Sequence, residues 1–280
     1  MAEDYTDTDF AWAAGFLDGE GCFRVVSHPA PSGVIAWRIH LSAGQKKIEP
    51  LLKLQRMFGG AIRKHNSKNA HYWLITNPAE VRQIVPLLLP YLTVKQPEAY
   101  NLLLYARTFT GTHKLSPSTL AARKRLLTSQ DKLVSYATPT ILEEGAGLAW
   151  SAGFLDAEGC FTLCKDAANA NPVIRSVLVS VYQLCRAPLV RLHDIFSVGS
   201  VTTTPNTMGA FAWRVYRAQH VADVVEQVRP YLLMKQREAD IVSLYAKEMT
   251  YRGTTLPKIT IEVRRALISE LEEIRRCNAR

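Results

Sequence analysis

The sequence predicts an α+β protein of two αββαββα units, related by a pseudo-twofold axis, joined by a linker and each carrying a four-stranded antiparallel sheet. Three observations predict it. First, AWAAGFLDGEGCF at residues 11–23 recurs as AWSAGFLDAEGCF at 149–161, with eleven of thirteen positions identical. Second, the likeness continues downstream: Gln45 matches Gln183, Trp73 matches Trp213, and PYLTVKQPEAYNLLLYA at 90–106 matches PYLLMKQREADIVSLYA at 230–246. A match sustained over that length is a tandem duplication, and a duplication sets the architecture. The offset is 138 at Glu20/Glu158 and at Gln45/Gln183 but 140 at Lys95/Lys235, so the second unit carries two extra residues in a loop between them. Third, hydrophobic spacing alternates between the helical and the strand period inside each unit.

Taken in order, the small-residue segment 8–18 reads as a helix, and GCFRVVSH with VIAWRIHLSAG reads as two strands around a PAPSG turn. Helical spacing returns at 47–58, strands at 60–65 and 71–76, and helices at 78–89 and 95–109. The second unit repeats this order from about 147. Units are therefore expected at 1–110 and 147–280, with a linker at 111–146. Within that linker Ser116 and Pro117 start a basic helix, and ATPTILEEGAG returns to loop. A last helix is expected at 259–276.

Composition limits the function classes. With 48% hydrophobic and 21% charged residues the chain can bury ordinary cores. No apolar run reaches the roughly 20 residues that span a bilayer, and the acidic N-terminus lacks the basic and apolar regions of a signal peptide. The expectation is an intracellular, unsecreted protein without a membrane partner. Five scattered cysteines without a CxxC pair suggest neither a disulfide framework nor zinc. A net charge of +9, from 34 Lys and Arg against 25 Asp and Glu, favours a polyanionic partner.

Chemistry is concentrated at the repeated helix. Ala11, Ala14, Gly15 and Asp18 share one face, as do Ala149, Ala152, Gly153 and Asp156, so the two stripes can pack together across the pseudo-twofold axis. Trp12 with Phe16, and Trp150 with Phe154, fall on a different face and are expected to anchor each helix in its own unit. Both helices end in Asp, a small residue, Glu, Gly. A carboxylate at a helix C-terminus opposes the macrodipole, and two brought together oppose each other. Divalent cations would make the arrangement sensible, since Mg²⁺ favours one or two carboxylates plus phosphate oxygens and water.

Two copies of A-G-F-L-D-x-E-G in a basic chain of this pattern closely resemble a single-chain, two-motif LAGLIDADG homing endonuclease. The resemblance implies a saddle-shaped sheet in each unit and site-specific cleavage of both DNA strands by metal-assisted phosphodiester hydrolysis. It implies that Glu20 and Glu158 hold Mg²⁺ or Mn²⁺, with Ca²⁺ as a non-cleaving substitute, and that the carbonyls of Gly19 and Ala157 assist. Lys95 and Lys235 would stand beside the phosphates. Gln45 and Gln183 would position solvent, and Asp18 and Asp156 would orient the motif's end.

The DNA surface is expected on the polar side of the strands, with Trp37, Ile39 and Leu41 facing inward. In the first unit that side carries Arg24, His28, Arg38, His40, Ser42, Arg63, His65 and His71, of which the arginines can grip guanine in the major groove. In the second it carries Thr162, Ser176, Ser180, Thr202 and Thr204, with Lys165, Arg175 and Arg214 nearby. The two sets differ, so the target should be asymmetric. Strands of about ten residues, roughly 33 Å each, would cover on the order of 20 base pairs of double-stranded DNA between them.

The resemblance leaves two other readings open, an RNA maturase that assists splicing of a host intron and a non-cleaving DNA-binding protein. It implies a monomer working in a prokaryotic cytoplasm or an organelle interior.

Overall fold

The computed structural model describes residues 5–29, 35–65, 69–109, 116–130, 142–165, 174–204, 209–250 and 260–279. The first unit runs α1 (Asp7–Glu20), β1 (Gly21–Pro29), β2 (Ile35–Gln45), α2 (Glu49–Phe58), β3 (Ala61–Lys64), β4 (His71–Ile75), α3 (Pro78–Leu88) and α4 (Gln96–Arg107). The linker helix is α5 (Pro117–Gln130). The second unit repeats the order with α6 (Glu144–Glu158), β5 (Gly159–Lys165), β6 (Ile174–Gln183), α7 (Ala187–Phe196), β7 (Ser200–Thr203), β8 (Phe211–Val215), α8 (Ala218–Val228), α9 (Gln236–Thr250) and α10 (Ile261–Ala279). Its two sheets, ordered β1-β2-β4-β3 and β5-β6-β8-β7, are antiparallel throughout.

The fold class is the expected one, and its details follow from local chemistry. Alternation in β2 buries Ile39, Leu41 and Ala43 against the helices. Trp37 shares their parity but is 42% exposed. Its partner Ser27 is open too, so the helical layer does not cover that end of the sheet, which is why parity misjudged Trp37. Four tryptophans, Trp12, Trp73, Trp150 and Trp213, are fully buried. Trp73 donates its indole N–H to Gly59 O at 2.8 Å, and Trp213 donates to Val198 O at 3.1 Å, so burial leaves neither ring's donor unpaired.

The two extra residues of the second unit lie on either side of β7. The offset is 138 at Phe58/Phe196, 139 at Ala61/Ser200 and 140 at His71/Phe211. One residue enters after α7, where Ser197 takes a left-handed φ of 53° and Gly199 a φ of 83° in place of the Gly59–Gly60 pair. The other enters between β7 and β8.

The linker differs from expectation in one place. α6 begins at Glu144, inside the span read as loop, so the EEGAG segment is mostly the first turn of the helix. Gly147 N–H already bonds Glu143 O at 2.8 Å. The expected PAPSG turn falls largely outside the described residues, as does ATPTI. α5 starts as expected, with Ser116 Oγ accepting from Thr119 N at 3.1 Å.

α5 and α10 occupy corresponding places beside the outer strands. Gln130 pairs both main-chain groups of Val25 in β1 at 3.1 Å each, and Arg275 donates to Phe161 O in β5 at 2.8 Å. Each satisfies backbone groups that an edge strand would leave open. Among the described residues no helix is long and apolar enough to cross a membrane.

Candidate active site

α1 and α6 pack face to face along their small-residue stripes. A methyl built on Gly15 would meet Trp150 O at 2.0 Å, and one on Gly153 would meet Trp12 O at 2.1 Å, so only glycine allows this approach. Farther along, a methyl on Gly19 would lie 2.5 Å from the Ala157 Cβ. That contact has room for one methyl and not two, which accounts for the Gly/Ala difference between the motifs.

The motif's last glycine fixes where the acids point. Gly21 and Gly159 leave the helix directly into extended backbone, and a Cβ there would strike Leu17 O at 2.3 Å or Leu155 O at 2.6 Å. Glu20 and Glu158 are therefore the final residues of the two packed helices. Both are half-buried. Burial pushes Glu20 up from 4.5 to about 7, and the charge of Glu158 adds to it. Burial raises Glu158 as well, opposed first by Lys235 and then by a hydrogen bond from Gln183 and by Lys95. Gln45 donates to Glu20 Oε1 at 3.1 Å. Each glutamine thus bonds its own unit's glutamate, a pairing not legible in the sequence.

Asp18 and Asp156 do different work. Asp18 is buried and accepts from the backbone N–H groups of Thr93, Val94 and Lys95, all at 2.8 Å, at the start of α4. Asp156 accepts from Leu233, Met234 and Lys235 at 2.7, 2.9 and 3.0 Å, at the start of α9. A carboxylate on a helix N-terminus complements the macrodipole, and the contact sets the lysine beside the helix end. Burial still holds Asp18 up at about 6 against these bonds.

The tryptophans correct one expectation. Trp150 Nε1 donates to Asp18 at 3.0 Å and Trp12 Nε1 to Asp156 at 3.4 Å, so each ring reaches the other unit's aspartate rather than serving its own unit alone. The shared aspartates bind the two units at the centre of the molecule.

Lys235 donates to Leu155 O at 2.9 Å and Gly159 O at 2.7 Å, with Ala157 O at 3.4 Å, so its ammonium sits on the negative end of α6. Burial lowers its pKa, and Asp156 and Glu158 act against that. Glu20, Gln45, Lys46, Lys47, Asp156, Ala157, Met234 and Lys235 line one cavity of about 200 Å³. Lys46 and Lys47 were missed in the sequence because their counterparts are Leu184 and Cys185, and self-comparison passes over what only one copy has.

Of the expected DNA-face residues in the first unit, Arg24, Arg38 and Arg63 are exposed on the side away from the helices, His40 and Ser42 are half-buried there, and His65 is exposed just beyond β3. His71 is corrected. It pairs with Gln45 and shares the face of Trp73 and Ile75, toward the helices, because the alternation that buries Trp73 and Ile75 turns residue 71 the same way. The side chain of His28 lies outside the described residues.

In the second unit Thr162 and Ser176 are half-buried on the outer side, Thr202 is exposed, and Thr204 follows β7 with its Oγ1 on Ala210 O at 2.6 Å. Ser180 faces the same way but is only 2% exposed, between Cys160 and Arg214, so it does not offer a free contact. The side chains of Lys165 and Arg175 lie outside the described residues, although the backbone register slips between Cys164 and Lys165 and steps over Arg175. Arg214 lies 5.2 Å from the Tyr182 ring, and hydrogen bonds with Tyr182 and Tyr216 keep its charge firm. Tyr182 and Tyr216 were not anticipated; their matches in the first unit are Gly44 and Thr76.

Comparison with known proteins agrees with this architecture. Residues 13–105 match the family model described as LAGLIDADG endonuclease. A probable intron-encoded endonuclease, Cox1-I1b of Schizosaccharomyces pombe, is 24% identical over 161 residues, 55% of this chain and 41% of that protein. The DNA endonuclease I-CvuI of Chlorella vulgaris is 29% identical over 140 residues, 48% of this chain and 85% of that protein. Among solved structures, I-SmaMI bound to an uncleaved DNA target with calcium ions aligns at TM-score 0.72 with 16% identity, covering 94% of this chain and 97% of that one. I-GzeII in complex with its DNA target aligns at 0.70 with 14% identity, covering 95% and 96%. At such identity the structures establish the fold. Residues 13–105 carry the match to the LAGLIDADG endonuclease model, and over nearly the whole chain the fold is that of the two-unit structures I-SmaMI and I-GzeII.

Proposed function

We propose that this chain is a site-specific DNA endonuclease that makes a double-strand break in a long asymmetric target. The observation that carries the reading is the placement of Glu20 and Glu158 at the adjoining ends of two packed helices, each raised by burial. A stable protein does not gain from crowding carboxylates at negative helix ends, whereas a metal-dependent phosphodiesterase requires them.

The residues present fit Mg²⁺ or Mn²⁺. Among the described residues no three His, Cys, Asp or Glu converge, so the donor set is two carboxylates with the Gly19 and Ala157 carbonyls, all hard oxygens. When bound, such a cation supplies a Lewis acid at the phosphate and an acidified water. Ca²⁺ would bind the same oxygens without supporting cleavage. Gln45 and Gln183 hold the two acids in orientation. Lys95 and Lys235 place positive charge beside the phosphates, where negative charge grows as the bond to the leaving oxygen breaks. The outer strand faces supply the reading surface for about 20 base pairs. Arginines there suit guanine edges, and the difference between the two faces gives an asymmetric site. The names of the relatives fit an intron-homing role in an organelle or a prokaryotic cell, with the chain acting as a monomer.

The test is to incubate the protein with a plasmid library of random sites and Mg²⁺ and to sequence linearised molecules. Wild type is expected to leave double-strand breaks with short 3′ overhangs at one recurring sequence. Glu20→Gln or Glu158→Gln should bind that site without breaking both strands. Normal cutting by either variant refutes the assignment, and tight intron-RNA binding without DNA cleavage favours a maturase.

A further inference from the structure

The two halves of the site differ just outside the repeated motif. Lys47, in the connection from β2 to α2, extends across the unit boundary to donate to Met234 O at 3.2 Å, and its Nζ lies 3.8 Å from Glu238 Oε1. Glu238 is buried, and Met234 immediately precedes Lys235. One side chain of the first unit therefore grips both sides of the turn that carries the second unit's lysine.

The symmetric tie is missing. The residue matching Lys47 is Cys185, which has no charge and only a weak donor. The carboxyl matching Glu238 is Glu98, whose Oε2 is buried without a hydrogen-bond partner. The lysines differ accordingly. Lys235 is seated on the carbonyls that end α6, while among the described residues Lys95 makes no such contact with those ending α1.

Resting on the nuclease reading above, we infer that Lys47 is a positioning residue acting through Lys235, and that the strand facing Glu20 and Lys235 is cut before the other. Glu20, Gln45, Lys47 and Lys235 line the same cavity, and on that ground they are assigned to one phosphate. A turn held at two points keeps the ammonium in one place, and displacement of a positioned group by about 1 Å can slow a reaction up to about a hundredfold.

Two measurements test this. In the unbound protein, Lys47→Met should speed amide hydrogen exchange at Met234 and Lys235 and leave Val94 and Lys95 unchanged. On the target selected by wild type, single-turnover cleavage with each strand separately labelled should show unequal rates. Lys47→Met should slow the faster strand about tenfold with unchanged half-saturation, and Lys47→Arg should restore most of the rate. Unchanged exchange at Met234 and Lys235, or equal slowing of both strands, overturns the inference. A wild-type chain that cuts no DNA refutes the nuclease reading and the strand order with it, while the exchange measurement still decides whether Lys47 holds the turn.

Discussion

Replacing Glu20 with Gln should make the metal-free protein more stable while removing its proposed chemistry. The side chain keeps its size and can still accept from Gln45 Nε2, which now bonds Oε1 at 3.1 Å. What it loses is a charge the fold disfavours. A carboxyl raised from 4.5 to about 7 costs its ionised form about 3 kcal/mol relative to the unfolded chain. The group is partly open to water, and screening leaves roughly half, about 1.5 kcal/mol. For a chain of this size that is roughly 2–3 °C in Tm.

The sign depends on pH. The folded state holds the proton more strongly than the unfolded state, so stability is greatest below about 4.5 and is lost as pH rises through about 7. The variant lacks this loss, so its advantage should be nearly full at pH 8 and only about a quarter as large at pH 5. Thermal unfolding in a chelator at the two pH values measures it. With Mg²⁺ at pH 8 the order should narrow or reverse, because only wild type retains the full donor set. A variant less stable than wild type at pH 8 without metal, or equally stabilised at both pH values, refutes the reasoning.

Two further outcomes follow from the geometry. Gly19→Ala should cost about 1–3 kcal/mol by crowding the helix pair, since its Cβ would lie 2.5 Å from that of Ala157; adding Ala157→Gly should restore most of the urea midpoint. Arg214→Gln should lose about 1–3 kcal/mol of discrimination at one base pair of the target, read by sequencing sites bound in Ca²⁺. An equal loss across all positions would make Arg214 a phosphate contact instead.

The duplication made the fold legible, because two imperfect copies of each helix and strand support each other's assignment. It also made the acids, glutamines and lysines legible, since a residue retained at the same place twice stands out from surface variation. The same method hid what is asymmetric. Lys46, Lys47, Tyr182 and Tyr216 have no counterpart of their kind. Reading His71 outward goes against its own parity with Trp73 and Ile75, and alternation misplaces Trp37 because parity does not know where a strand's helical cover ends.

The sequence by itself determined the two-unit architecture, the close packing of the motif helices and the place of Glu20 and Glu158 at their ends, all consequences of local pattern and residue size. Only the tertiary structure decided that Trp12 and Trp150 bond the opposite unit's aspartates, that Lys47 crosses to the Lys235 turn, and that one methyl but not two fits between Gly19 and Ala157. Those are contacts between residues far apart in the chain, and distances of that kind are set by how two packed surfaces meet rather than by the spacing within either one.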